Sequence, residues 1–412
     1  MFSYVENGAE PSARIKVIGV GGAGGNAINN MIASDLRGVD FIVANTDIQA
    51  LDISRASHKI QIGDKLTEGL GAGANPQIGR EAALENAEAI RNALKDCHMV
   101  FITAGFGGGT GTGAAPIIAE ICKELGALTV AVVSKPFSFE GRKRMRQAEE
   151  GLETIQEVAD TVITIPNDRL RGLASKNATM LEMFRRADEV LLHSVKGITD
   201  LILMPGLVNL DFADVKTTME KAGLAIMGIG VASGENRAVE AAERAISHPL
   251  LEDLSIAGAR GVLMNITSTS DLTMEEMTEA SERIYSEVGE DAEIIWGTVV
   301  DESLGDEMRV TVIATGIGPD PGRAPDRRRE PIRYGGARRA GSRDDDRSRR
   351  NLREVRPAET RSVDYETPTF ERVRPPEEKG DGEAEGYSEY DSGEPAETDD
   401  LEIPTFLRRK AD

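Results

Sequence analysis

Between residues 13 and 166 short and almost uninterrupted apolar runs alternate with helix-like stretches. ARIKVIGV is followed by GNAINNMIAS, and DFIVAN and KIQIG by REAALENAEAIRNALKDC. HMVFITAG is followed by GAAPIIAEICKELG, and LTVAVVSK by a charged helix from Gly141 and then TVITIP. Strands with no polar face are buried on both sides, and helical crossovers between them make the sheet parallel. The rhythm predicts an α/β, Rossmann-like parallel-sheet domain over residues 13–177, behind a flexible segment at 1–12. The helical stretch ATMLEMFRRADEVLLHSVKGITDLIL and the loop after it make a long connecting region, 178–221. Beyond it AIMGIGVASG, GVLMNITSTS, AEIIWGTVV and MRVTVIATG alternate with only two helices, from Glu235 and Thr273. This predicts a smaller α+β domain over 222–317.

Composition excludes several classes. A formal charge of -22 argues against a sequence-independent nucleic-acid binder, which needs basic surface to displace counterions. Two cysteines, Cys97 and Cys122, are too few for a disulfide framework and suit a reducing compartment, so a cytoplasmic protein is expected. The start, MFSYVENGAEPSARIKV, lacks a signal-peptide layout, and no run of about 18 apolar residues exists for insertion into a membrane. Ten of the 17 prolines fall in 319–412, where an Arg-rich half precedes an acidic half; residues 318–398 are expected to form a disordered linker. The last segment, 399–412, contains DDLEIPTFLRRK, with acids before Pro404 and bases from Arg408 to Lys410, the charge order of a short helix. Its apolar residues suit docking in a groove.

The strand-to-helix turns carry the chemistry. GVGGAGGN places Gly19, Gly21 and Gly24 in a GxGxxG pattern, with Asp47 ending the next strand. Alone, this fits an NAD(P)-dependent oxidoreductase, or glycines that merely permit tight strand–helix packing. A second loop, GGGTGTG, puts five glycines into the seven residues Gly107 to Gly113, with no Lys following as in a Walker A loop. A third, GAGANP, runs from Gly71 to Pro76. Free amides and the dipole at helix starts favour anions, so three such loops suit an oligophosphate, with Thr110 and Thr112 adding hydroxyls. His58, His98, His193 and His248 sit in unrelated settings, and Cys97–His98 reads as strand-edge packing. Any metal is therefore expected to be Mg²⁺, held mainly by phosphate oxygens and water.

GGGTGTG, with GVGGAGGN, ANTD, GAGANP, PFSFEGRKR and NLDFADV, resembles the tubulin and FtsZ superfamily of GTPases throughout residues 13–317, and DDLEIPTFLRRK resembles the end peptide of its bacterial members. The resemblance implies GTP and GDP as ligands, with Mg²⁺, and a head-to-tail homopolymer in the division ring at midcell. It implies tethering and regulatory division proteins as partners of Leu401, Ile403, Pro404, Phe406 and Leu407. It also implies nucleotide contacts from Gly21, Gly22, Ala23, Gly24, Asn26, Asn45, Gly71, Ala72 and Gly73, and from Gly107, Gly108, Gly109, Thr110, Gly111, Thr112 and Gly113. Glu140 and Arg144 match residues that contact ribose and phosphate; Asn167, Phe184 and Asp188 match residues that contact guanine.

Phe184 and Asp188, four apart, share a helix face, where a ring and a carboxylate suit a purine with two adjacent N–H donors. On their own Phe184 fits better as a core ring, Asp188 as a solvated charge and Asn167 as a turn residue. In NLDFADV, Asp211 and Asp214 on their own fit helix capping. By resemblance Asn209, Asp211 and Asp214 enter the next subunit's nucleotide site and polarise the attacking water. A nucleotide-binding polymer without turnover is a third reading, in which that pair is inert.

Overall fold

The computed structural model describes residues 13–173, 177–204, 206–208, 210–220, 222–251, 256–289 and 292–317. The expected linker and end peptide, including Leu401, Ile403, Pro404, Phe406 and Leu407, lie outside the described residues, as does Asn209.

Ten strands form one mixed sheet. They are β1 (Ile15–Val20), β2 (Val39–Asn45), β3 (His58–Gln61), β4 (Met99–Gly105) and β5 (Leu128–Lys135). Next come β6 (Thr161–Pro166), β7 (Gly223–Ser233), β8 (Gly261–Ser268), β9 (Glu293–Val300) and β10 (Glu307–Thr315). Their spatial order is β3-β2-β1-β4-β5-β6-β7-β10-β8-β9. The first six are parallel, and their order reverses between β1 and β4, the topological switch point where ligands bind in doubly wound folds.

The apolar runs have a direct cause. Successive strand residues point to opposite faces, and each face has its own core. Phe101, Val130 and Val132 pack on one side with helices 21–33 and 180–203; Val100, Ile102, Ala131 and Val133 pack on the other with helices 110–124 and 142–156. Each fully buried Val, Ile or Phe contributes about 1.5–3 kcal/mol, so a polar residue at any of these positions is costly.

One expectation is corrected. The stretch REAALENAEAIRNALKDC is two helices, Pro76–Glu85 and Ala87–Leu94. They part at Asn86, whose Oδ1 accepts the Gly63 N–H at 2.7 Å, a tertiary bond that a continuous helix forgoes. The strands of the C-terminal region continue the same sheet. β7 joins β6 in parallel through Thr161–Gly223, Val162–Leu224 and Ile163–Ala225, and β10 and β8 then follow antiparallel.

Helix Met180–Leu203 runs between the two halves. It starts with a capping box, in which Thr179 Oγ1 accepts the Glu182 N–H and Glu182 Oε2 accepts the Thr179 N–H. Its 24 residues span about 36 Å.

Candidate active site

β1 and β4 are in register, so the helices that follow them, Gly21–Ala33 and Thr110–Glu124, start side by side. A Cβ built on Gly21 would stand 3.0 Å from the Gly111 nitrogen. Neither helix start has a side-chain cap or an acidic residue in its first turn. Their free amides and dipoles therefore converge on one spot, which suits an anion. In front of them opens a cavity of about 250 Å³, lined by Gly22, Ala23, Gly108, Gly109, Thr110, Gly111, Glu140, Arg144, Asn167, Phe184 and Asp188. These are sequence-predicted residues drawn from five separate segments.

The glycines divide into two kinds. A Cβ on Gly24 would sit 2.4 Å from the Thr103 carbonyl oxygen, and one on Gly113 only 1.9 Å from that of Pro76. Those positions are glycine because the chain packs backbone on backbone there. Gly22 has no neighbour within 4 Å of such a Cβ, and Gly108 has only the Arg144 guanidinium at 3.8 Å. Nothing inside the protein needs glycine at these two, and both face the cavity.

Other predicted residues brace the site from behind. Thr112 accepts the Gly107 N–H at 2.9 Å, closing the loop on itself. Asn45 is buried and accepts the Asp47 N–H. Asp47 in turn caps helix 48–52 by accepting from Gln49 and Ala50, so its carboxylate is engaged locally rather than held for a ribose. Gly71, Ala72 and Gly73 form an adjacent loop that touches the second at Gly109, whose Cβ would lie 2.8 Å from that of Ala72. Asn26 is exposed on its helix and does not line the cavity.

One wall is chemically distinct. Asn167 is 6% exposed, and its Oδ1 has no partner among the described residues. Burial, with a smaller contribution from the neighbouring Glu189 charge, pushes the Asp188 carboxyl up to about 7. The wall thus offers two acceptors short of donors, a match for a ligand edge carrying adjacent N–H groups. Phe184 stands beside them, fixed edge-on against buried Phe137 at 5.5 Å. Glu140 accepts the Phe137 N–H at 2.8 Å and pairs with Arg144 at 2.7 Å.

Sequence reasoning missed Gly105, Phe106, Ser134, Pro136 and Ala187 in the lining, and Phe137 behind it. Ser134 and Pro136 lie at the carboxyl end of β5, the location that the switch-point rule marks.

The predicted acids are elsewhere. Asp211 is the N-cap residue of helix Phe212–Met219 but makes no side-chain cap bond, and Asp214 lies in its first turn; both are exposed. They follow the far end of helix 180–203, whose first turns form the cavity wall.

The chain also matches known families. Residues 14–175 match the tubulin/FtsZ family GTPase domain, and residues 223–318 match the FtsZ family C-terminal domain. The cell division protein FtsZ of Coxiella burnetii (strain RSA 493 / Nine Mile phase I) is 55% identical over 322 residues, covering 78% of this chain and 83% of that protein. An FtsZ structure from M. jannaschii, described as an empty dimer, superposes with a TM-score of 0.71 at 49% identity, covering 74% of this chain and 88% of that one. CetZ2 from Haloferax volcanii shares the fold at 20% identity, with a TM-score of 0.64 over 75% of this chain and 94% of that one. The chain belongs to the FtsZ family of tubulin-like GTPases.

Proposed function

We propose that this GTPase assembles head to tail and cuts GTP between subunits, in the filament of a bacterial division ring at midcell. The observation that carries the reading is the placement of the two half-sites. The cavity is built on the first turns of a helix about 36 Å long, and the exposed, uncapped Asp211 and Asp214 follow its far end. Within one chain the acids do not reach the cavity. In a head-to-tail contact they enter the cavity of the next copy, and such a contact propagates as a filament.

In this reading the phosphates lie at the two uncapped helix starts, and guanine presents N1–H and N2–H to Asn167 and Asp188 with Phe184 alongside. Adenine lacks that pair of donors. Asn209, Asp211 and Asp214 position the water, while the loop amides stabilise charge on the γ-phosphate. No group of three or more His, Cys, Asp or Glu able to hold a metal exists among the described residues. Mg²⁺ would thus arrive on the phosphate oxygens. Apolar surface supports the contact at both ends. Leu207 and Met274, 65% and 82% exposed, border a cavity of about 660 Å³ next to the acidic loop, and Leu70, 83% exposed, precedes the Gly71 loop. The C-terminal peptide is assigned to membrane-tethering and regulatory partners; no described helix is long and apolar enough to cross a membrane.

The test is phosphate release per chain across protein concentrations. A threshold below which turnover nearly vanishes supports a shared site, whereas constant turnover per chain overturns it. Asp214→Ala is expected to lower turnover about 10²–10³-fold with GTP binding retained. Loss of binding in that variant would place Asp214 in its own chain's pocket.

A further inference from the structure

We infer that His98 is a positioning residue for hydrolysis: its ring holds Phe212 and so aims Asp211 and Asp214. The inference rests on the assignment of those two carboxylates to the neighbouring subunit's nucleotide.

His98 stands at the amino end of β4, and its backbone is held on both sides. Its N–H donates to the Arg14 carbonyl at 2.9 Å, and its own carbonyl accepts the Leu128 N–H at 3.0 Å. The ring is held as well, since Nδ1 accepts the Arg14 N–H at 2.9 Å. An acceptor nitrogen carries no proton, so in the neutral ring the hydrogen sits on Nε2. The imidazole is thereby fixed to the central strands of the sheet. It meets Phe212 with ring centroids 6.0 Å apart and planes tilted by 47°, within the range of a favourable ring pair.

Phe212 is the first residue of helix Phe212–Met219 and lies directly after Asp211. The far end of this helix is held by Thr161 Oγ1, which donates to the Met219 carbonyl at 2.5 Å, and by Thr315 Oγ1, which donates to that of Thr218 at 3.4 Å. The preceding loop is held from the C-terminal half, where Val208 exchanges two hydrogen bonds with Thr298 of β9. Leu210 and Phe212 pack against the core that contains Met99 and Leu128, and His98 adds a ring contact to Phe212 from the GTP-binding half. Among the described residues, no side-chain hydrogen bond fixes Asp211 or Asp214 there. The Phe212 ring, directly after Asp211 and held by both His98 and this core, is therefore a side-chain anchor through which the carboxylates are directed.

Three variants of the full chain separate the ring from the hydrogen bond. His98→Ala removes both, His98→Asn keeps an acceptor for the Arg14 N–H without a ring, and His98→Phe keeps a ring without the acceptor. The measurements are kcat and KM for GTP well above the assembly threshold, the threshold itself, and GDP affinity of the unassembled chain. Expected is a fall in kcat of about threefold to tenfold for Ala and Asn, the range of one ring pair, with at least half recovered in Phe. KM, threshold and GDP affinity stay within about twofold. Adding His98→Ala to Phe212→Leu is expected to cost nothing further; equal losses in both backgrounds would overturn the inference, as would an unchanged kcat in His98→Asn. If Ala unfolds, Asn and Phe still decide, since each keeps one of the ring's anchors. Wild-type turnover without a concentration threshold would instead overturn the shared site, a result the kcat ratios do not imitate.

Discussion

The Asp188 carboxyl gives the proposed guanine contact a pH signature. Burial holds its pKa near 7 in the nucleotide-free chain. If the ionised form accepts the guanine N–H groups, affinity is full above pH 7 and falls as pH drops through 7. At pH 8 about ten elevenths of the sites are ionised and at pH 6 about one eleventh, so affinity should fall about tenfold. Asp188→Asn keeps the size but removes the charge and turns one acceptor into a donor. Losing a charge-assisted hydrogen bond costs about 1.5–3 kcal/mol, which weakens GDP binding roughly ten- to hundredfold at pH 8. GDP is titrated calorimetrically into both proteins below the assembly threshold, at pH 6, 7 and 8. The phosphates titrate in both, so the wild-type to variant affinity ratio isolates Asp188 and should shrink about tenfold from pH 8 to pH 6. A ratio independent of pH would refute the reasoning. The sign for stability is opposite. A carboxyl whose pKa is raised in the folded chain favours folding at low pH, and that stability is lost as pH rises through 7. The nucleotide-free Asn variant should therefore melt higher than wild type at pH 8, and the difference should vanish towards pH 4.

The two kinds of glycine should separate in mutants. Gly113→Ala drives a Cβ into the Pro76 carbonyl and the Arg80 nitrogen and should cost about 3 kcal/mol in urea unfolding, whereas Gly22→Ala should leave the unfolding midpoint unchanged and weaken GTP binding. Ala74 has φ 56° on an exposed turn, so Ala74→Gly should raise stability by about 0.5–1 kcal/mol; a lowered midpoint would count against strain there. Burial pushes both thiols up, Cys122 far more than Cys97, so mass spectrometry after brief alkylation should find Cys97 modified first and Cys122 only after unfolding.

Much of the fold was legible because its cause is local. Unbroken apolar runs such as HMVFITAG report burial on two faces, and the two cores on either side of β4 are that burial. The junction of β6 with β7 was not legible, because three residue pairs join segments about 60 positions apart and leave no periodicity. The break at Asn86 depends on Gly63, 23 positions away and outside any helical or strand period. In the candidate site the glycine loops were plain, but which glycines face a ligand was not. Gly22 and Gly113 look alike in sequence and differ only in what stands where a Cβ would go. Phe137 escaped for a similar reason, since its part is to hold the Phe184 ring on edge rather than to line the cavity.

The helix from Met180 to Leu203 carries a pocket wall on its first turns and leads into a pair of acids at its last. In the proposed filament this makes the two ends chemically unequal before any rate constant is considered. The terminal subunit with an open pocket has bound fuel and no neighbour to cut it. The subunit at the opposite tip presents acids with nothing to act on. Every newcomer at the open-pocket end supplies the blade for the molecule already there, so addition at that end starts the clock on its predecessor and leaves the tip itself uncut.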